Sequence, residues 1–191
     1  LRVTDLATMQ VVGETLAQIN RQIVHDINRF GAQAVGLSGH DAEILSVVKH
    51  KANGDVGFVG EVTSVNILPI RELTEFNIIP VISPLGIDKE KETYNVNADE
   101  AAAKIAAALE VQKLMILTNV QGILRDPKNE KSLVPSLNVS KTEELIQRKV
   151  ITDGMIPKVN ACITALGGGI KKAHIIDGRI KHSLLLEIFT D

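Results

Sequence analysis

The chain has 191 residues, 45% of them hydrophobic, enough apolar material to bury a sizeable core and to exclude an intrinsically disordered polymer. Twenty-one basic residues stand against twenty-three acidic ones, a net charge of −2, so no global field draws the chain to nucleic acid or an anionic membrane. The single cysteine, Cys162, excludes an internal disulfide and a cysteine-based metal cluster. With no apolar run near the roughly 18 residues of a membrane span and no signal peptide at the start, a soluble cytoplasmic protein is expected.

Thr4 or Asp5 can cap a helix to about Phe30, because Met9, Val12, Leu16, Ile19, Ile23 and Ile27 recur three and four residues apart. Gly31 stops it, and residues 34–38 read as a short buried strand. Residues 44–50 and 56–65 are β-rich and flank Asn53-Gly54-Asp55, a turn signal that predicts a β-hairpin flap standing off the main sheet. A helix is expected over 68–76, a strand over 78–83, a loop around Gly86, and an alanine-rich helix from Asn97 to Leu109.

Residues 113–118 form a continuous apolar run of the kind buried on both faces, and they lead into Asn119-Val120-Gln121-Gly122. Ser140-Lys141-Thr142-Glu143 reads as a capping box opening another helix, Pro157 sits near the start of the next, and Gly167-Gly168-Gly169 ends that one. Two β segments, 173–176 and 184–189, are expected to close the chain. Strands alternating with helices predict an α/β fold, a three-layer αβα sandwich with a largely parallel central sheet, whose ligands sit at the carboxyl ends of its strands. The chain opens at Leu1 without a methionine and reads as part of a longer protein.

Two stretches carry chemistry. Tyr94-Asn95-Val96-Asn97-Ala98-Asp99 places amides and a carboxylate at a helix start. Asn97 with Glu100 resembles a capping box and Asp99 suits the positive helix end, but capping does not account for Asn95. Gly154-Met155-Ile156-Pro157-Lys158-Val159 sets a lysine in the first turn of a helix, where the dipole disfavours a cation, which suggests a compensating anion nearby. A carboxylate able to orient an ammonium, and an ammonium able to neutralise a moving phosphoryl group, are the minimal electrostatic parts of a phosphotransferase. No Walker loop, GxGxxG, HExxH or nucleophile elbow occurs, and the five histidines lack metal-ligand spacing.

Taken with their spacing, LRVTD at 1–5, VGFVGEV at 56–62, IPVISPLG at 79–86, YNVNAD at 94–99, LTNVQGIL at 117–124, ITDGMIPKV at 151–159, and HIIDGR with HSLLLEIFTD at the end resemble the acetylglutamate kinases of the amino acid kinase family. The resemblance implies one amino acid kinase domain over 1–191, incomplete at its N-terminus, with about 1–90 in the acyl-amino-acid lobe and about 91–191 in the nucleotide lobe. It implies transfer of the γ-phosphoryl group of ATP, accompanied by Mg²⁺ held mainly by the nucleotide, to the side-chain carboxylate of N-acetyl-L-glutamate in arginine biosynthesis.

By the same resemblance Arg2 and Asn95 bind the acyl amino acid, Asp99 orients the catalytic lysines, and Lys158 neutralises charge on the phosphoryl group. Asn119, Val120, Gln121, Gly122, Ile123, Leu124, Val150, Ile151 and Thr152 line the nucleotide site. His174 and Glu187 would bind L-arginine as a feedback inhibitor. A homo-oligomer and a PII-type signalling partner are implied, with no nucleic acid or membrane partner and no protein-held metal. The pattern departs from the family in lacking a Lys-Gly-Gly strand and a glycine-rich phosphate loop, and in carrying Asn119 where the family tends to have aspartate. The alternatives are a kinase for a related substrate such as acetylaminoadipate, and a non-catalytic nucleotide- or arginine-binding protein.

Overall fold

The computed structural model describes residues 3–51, 54–126, 129–152 and 154–189. The chain divides into two compact units, Leu1–Ala108 and Leu109–Asp191. In the first, α1 (Leu6–Arg29) begins at Asp5, whose carboxylate accepts the Thr8 N–H at 2.7 Å. Strands β1 (Gln33–Ser38) and β4 (Ile78–Ser83) pair in parallel, in register from Gln33 opposite Ile78 to Ser38 opposite Ser83. Helix α1 packs on both strands and α2 (Leu68–Glu75) on β4.

Asn20 fixes that packing. It is buried in α1, and its side-chain amide donates to the carbonyls of Leu37 (3.1 Å) and Val81 (2.7 Å) and to Ser83 Oγ (3.2 Å). The helix is thereby tied to the carboxyl ends of β1 and β4 by groups that would otherwise be desolvated without partners.

The hairpin of β2 (Leu45–Lys49) and β3 (Val59–Val65) is present, but it does not stand alone. It closes with β5 (Leu85–Ile87) and β6 (Thr93–Val96) into a four-stranded barrel in the order β2-β3-β6-β5. The hairpin has to bury Leu45, Val47, Val59 and Val62, all at most 3% exposed, and two short strands supply the cover. Gly86, expected in a loop, is a strand residue paired with Tyr94, and glycine is needed there because a Cβ would meet Val47 Cγ1 at 2.2 Å. Asn53 of the turn signal lies outside the described residues. Helix α3 (Ala98–Leu109) completes this unit, burying Ala101, Ala103 and Ala106.

In the second unit, β7 (Lys113–Thr118) and β8 (Lys172–Asp177) pair in parallel from Lys113 opposite Lys172 to Thr118 opposite Asp177. Helix α5 (Met155–Gly167) packs on both and α4 (Val139–Gln147) packs on α5. The cap of α4 is Asn138, whose extended backbone lets its side chain accept the Lys141 N–H at 2.8 Å, so the helix starts two residues before the expected Ser140. The closing segment is a helix, α6 (Ser183–Phe189), and not the expected strand. A short apolar run carries no periodicity that separates the two, and the turn Asp177–Ile180 with His182 at φ 63° directs the chain into a helical turn. No helix among the described residues is long and apolar enough to cross a membrane.

Replacing Asn20 by leucine should cost about 2 kcal/mol, since two carbonyls lose their donor inside the core. Thermal unfolding should shift down by about 5 °C, and a melting temperature within one degree of wild type would contradict this role.

Candidate active site

The N-terminal segment is held by main-chain bonds. Thr4, 1% exposed, donates its N–H to the Val56 carbonyl (2.9 Å) and accepts the Phe58 N–H (2.6 Å), forming a parallel bridge with Gly57. Gly57 has φ 72°, and a Cβ there would lie 2.1 Å from the Thr4 carbonyl oxygen, so only glycine permits this approach. On the other side, Phe58 accepts the Asn95 N–H at 2.9 Å. One strand segment, 56–58, thus joins the residues that follow Arg2 to the strand that carries Asn95. Arg2 itself lies outside the described residues.

Asn95 is half-buried in β6 and pairs with Val59 and Leu85. Two residues on, Asn97 Oδ1 accepts the N–H groups of Asp99 (2.9 Å) and Glu100 (3.1 Å), which caps α3 and sets Asp99 in its first turn. Glu100 does not complete a capping box. Its Oε1 instead accepts the Val62 N–H at 2.9 Å, beside a one-residue slip in the β2–β3 register that sets Val47 opposite Val62 and Ser46 opposite Ser64. The carboxylate therefore anchors α3 to β3, a long-range role that the local pattern does not reveal.

In the second unit, Lys158 is the fourth residue of α5 and half-buried. Its neighbour Val159, 2% exposed, forms a cluster with Leu145 and Ile151, and Ile123, Val150 and Met155 pack against it. Three of the expected nucleotide residues, Ile123, Val150 and Ile151, are thereby brought together next to the lysine. Because the Ile151 side chain is in the core, it can offer a nucleotide only its main chain. Asn119 to Leu124 form the loop leaving β7; Asn119 and Val120 are exposed and Gly122 is buried. The loop is pinned by Val134 N–H on the Ile123 carbonyl (2.8 Å) and by a bridge between Leu124 and Leu133. Thr152 is exposed and its carbonyl accepts the Met155 N–H at 3.1 Å, at the entry to α5. Asp99 belongs to the first unit and Lys158 to the second.

His174 Nδ1 in β8 contacts Glu187 Oε1 in α6. Both line a cavity of about 760 Å³ together with Leu137, Cys162, Lys172 and Ser183. The second ring nitrogen, His174 Nε2, is buried and has no hydrogen-bond partner among the described residues. The described residues contain no group of three or more His, Cys, Asp or Glu side chains placed to hold a metal ion.

These elements are those of an amino acid kinase. The model of the amino acid kinase family matches residues 1–177, and the chain belongs to that family. Over its whole length it is 49% identical to the acetylglutamate kinase of Thermoanaerobacter sp. (strain X514) and 50% identical to that of Synechococcus sp., in each case covering 64% of the relative. The chain therefore spans just under two thirds of the length of these relatives. Among solved structures it resembles the Streptococcus mutans UA159 protein smu.665, with 29% identity, a TM-score of 0.84, and coverage of 93% of this chain and 71% of that one. It also shares its fold with the N-acetylglutamate synthase of Neisseria gonorrhoeae complexed with coenzyme A and N-acetyl-glutamate, at 22% identity and a TM-score of 0.86, covering 99% of this chain and 43% of that one.

Gly57→Ala should break the Thr4 bridge. Hydrogen exchange at the Thr4 and Phe58 amides should then accelerate by about tenfold or more, and unchanged protection would show that the bridge tolerates a side chain.

Proposed function

We propose that the complete protein is a cytoplasmic acetylglutamate kinase, transferring the γ-phosphoryl group of ATP to the side-chain carboxylate of N-acetyl-L-glutamate in the second step of arginine biosynthesis. The observation that carries this reading is the identity of about half of all residues, across the whole chain, with proteins named acetylglutamate kinase.

The mechanism follows from the residue chemistry. Arg2 holds the α-carboxylate of the acyl amino acid through its guanidinium fork, and Asn95 hydrogen-bonds the same substrate. The ionised side-chain carboxylate is already a competent nucleophile, so the reaction needs no general base. Lys158 neutralises charge on the phosphoryl oxygens and leaving group as the bond to the β-phosphate breaks, and the family likeness alone gives Asp99 the orienting of catalytic lysines. Residues 119–124 and 150–152 seat the nucleotide. Mg²⁺ carried by the nucleotide would offset phosphate charge.

The cavity at His174 and Glu187 supports a regulatory site for L-arginine, whose guanidinium would take the Glu187 carboxylate in paired charge-assisted bonds and displace His174 from it. Homo-oligomeric assembly and control by a PII-type protein are proposed on the same family likeness.

In the complete protein, Lys158→Ala should lower kcat by about a hundredfold or more with a smaller change in KM, because its charge is most needed in the transition state. Arg2→Ala should chiefly raise KM for the acyl amino acid, and unchanged kinetics in either variant would remove its role. A panel of acetylglutamate, acetylaminoadipate and unacetylated glutamate tests the substrate; preference for acetylaminoadipate would shift the assignment to the sibling kinase, and no turnover of any of them would reject the kinase reading.

Glu187→Gln should weaken arginine inhibition by about tenfold, equivalent to about 1.4 kcal/mol, with uninhibited turnover unchanged. Superimposable inhibition curves would exclude Glu187 from the site.

A further inference from the structure

The loop proposed to seat the nucleotide leaves β7 at Thr118, and its direction is set by what holds Thr118. The parallel register puts Thr118 opposite Asp177, the last residue of β8. Beyond the strand, the Gly178 N–H donates to the Thr118 carbonyl at 2.8 Å, so the ladder runs one residue further on the β8 side and ends where the loop begins. Gly178 lies against Leu117 as well, where an added Cβ would sit 3.4 Å from Leu117 Cβ.

The position of Gly178 is in turn set by Asp177. Its side chain is 5% exposed, and both carboxylate oxygens are engaged: Oδ1 accepts from Arg179 Nε (2.9 Å) and from the Arg179 main-chain N–H (3.0 Å), and Oδ2 accepts from Arg179 Nη2 (2.7 Å). The Asp177 carbonyl also accepts the Ile180 N–H at 3.3 Å, closing the turn. The guanidinium, 63% exposed, forms a two-pronged contact across a single glycine, which fixes the Asp177-Gly178-Arg179 backbone in one conformation. Asp177 lines the same cavity as Gln121 and Gly122 of the loop. Arg179 holds the Asp177 carboxyl below its ordinary value, so the contact persists throughout the neutral range.

We infer that the Asp177–Arg179 clamp is a positioning element for nucleotide recognition, aiming the Asn119–Gly122 loop by fixing the Gly178 N–H on the Thr118 carbonyl. This rests on the nucleotide reading above. The clamp touches neither substrate and acts through the loop, so its loss reaches the nucleotide and not the acyl amino acid. The HIIDGR motif marks these residues, but the sequence does not show that Asp177 and Arg179 pair with each other.

The test uses the complete protein and Mg-ADP as the probe. Asp177→Asn, which keeps the side chain's shape and discharges it, should weaken Mg-ADP binding by calorimetry and raise KM for ATP by about fivefold or more, with KM for acetylglutamate within about twofold of wild type. Hydrogen exchange at the Gly178 amide should accelerate in the same variant. Arg179→Lys, which keeps the charge on an exposed stem but loses the fork, should give a smaller shift in the same direction and Arg179→Gln a larger one; these also carry the test should Asp177→Asn fail to fold. Unchanged nucleotide affinity in the variants overturns the inference, as does a parallel rise in both KM values with a fall in melting temperature, which would make the clamp a general brace. Wild-type protein that binds no Mg-ADP overturns the nucleotide reading itself and the inference with it, a failure visible before any substitution is made.

Discussion

In a parallel pair both strands leave the sheet at the same edge, and the register that sets Thr118 opposite Asp177 therefore brings the loop after β7 and the turn after β8 side by side. That constraint organises the second unit. It leaves Asn119 and Val120 exposed at the strand end, puts Gly178 on the Thr118 carbonyl, and leaves His174 three residues back on β8 to meet Glu187 from α6. In the first unit the corresponding parallel pair, β1 with β4, is held by Asn20, and the barrel beside it presents Asn95.

The position of Lys158 shows which forces decide. A cation in the first turn of a helix opposes the helix dipole at a cost of about 0.3–1 kcal/mol. Burying Val159 beside it contributes about 1.5–3 kcal/mol, so packing against Leu145 and Ile151 outweighs the electrostatic penalty and keeps the lysine where the dipole alone would not.

Local rules made much of the fold legible. The 3.6-residue spacing in α1, the apolar run that forms β7, the Asn97 cap of α3 and the glycines ending α5 each act within a few residues and are readable for that reason, although β7 is not buried on both faces as expected, since Leu117 is 51% exposed. The misreadings share a physical cause in long-range pairing. Gly86 reads as a loop residue because its need to approach Val47 is not local, and Glu100 reads as part of its own helix start although its partner, Val62, is 38 residues away. The last apolar run, Leu184–Phe189, lacks the length to show its period and became a helix. At the site, Asn95 and Lys158 stand out by chemistry that local structure does not explain, whereas Asp99 also suits the helix start and is singled out by the family resemblance. The clamp at Asp177 does not stand out, since its partner lies two residues away and its effect is felt across the sheet.

The proposed activity of the complete protein is the formation of an acyl phosphate on a side-chain carboxylate. Trapping with hydroxylamine tests it directly, because an acyl phosphate reacts to give a stable hydroxamate that mass spectrometry identifies. The account predicts N-acetylglutamyl hydroxamate, formed only when complete protein, Mg-ATP and N-acetyl-L-glutamate are all present, in equal amount to the ADP released. ADP release without hydroxamate, or hydroxamate formed independently of ATP, would contradict it.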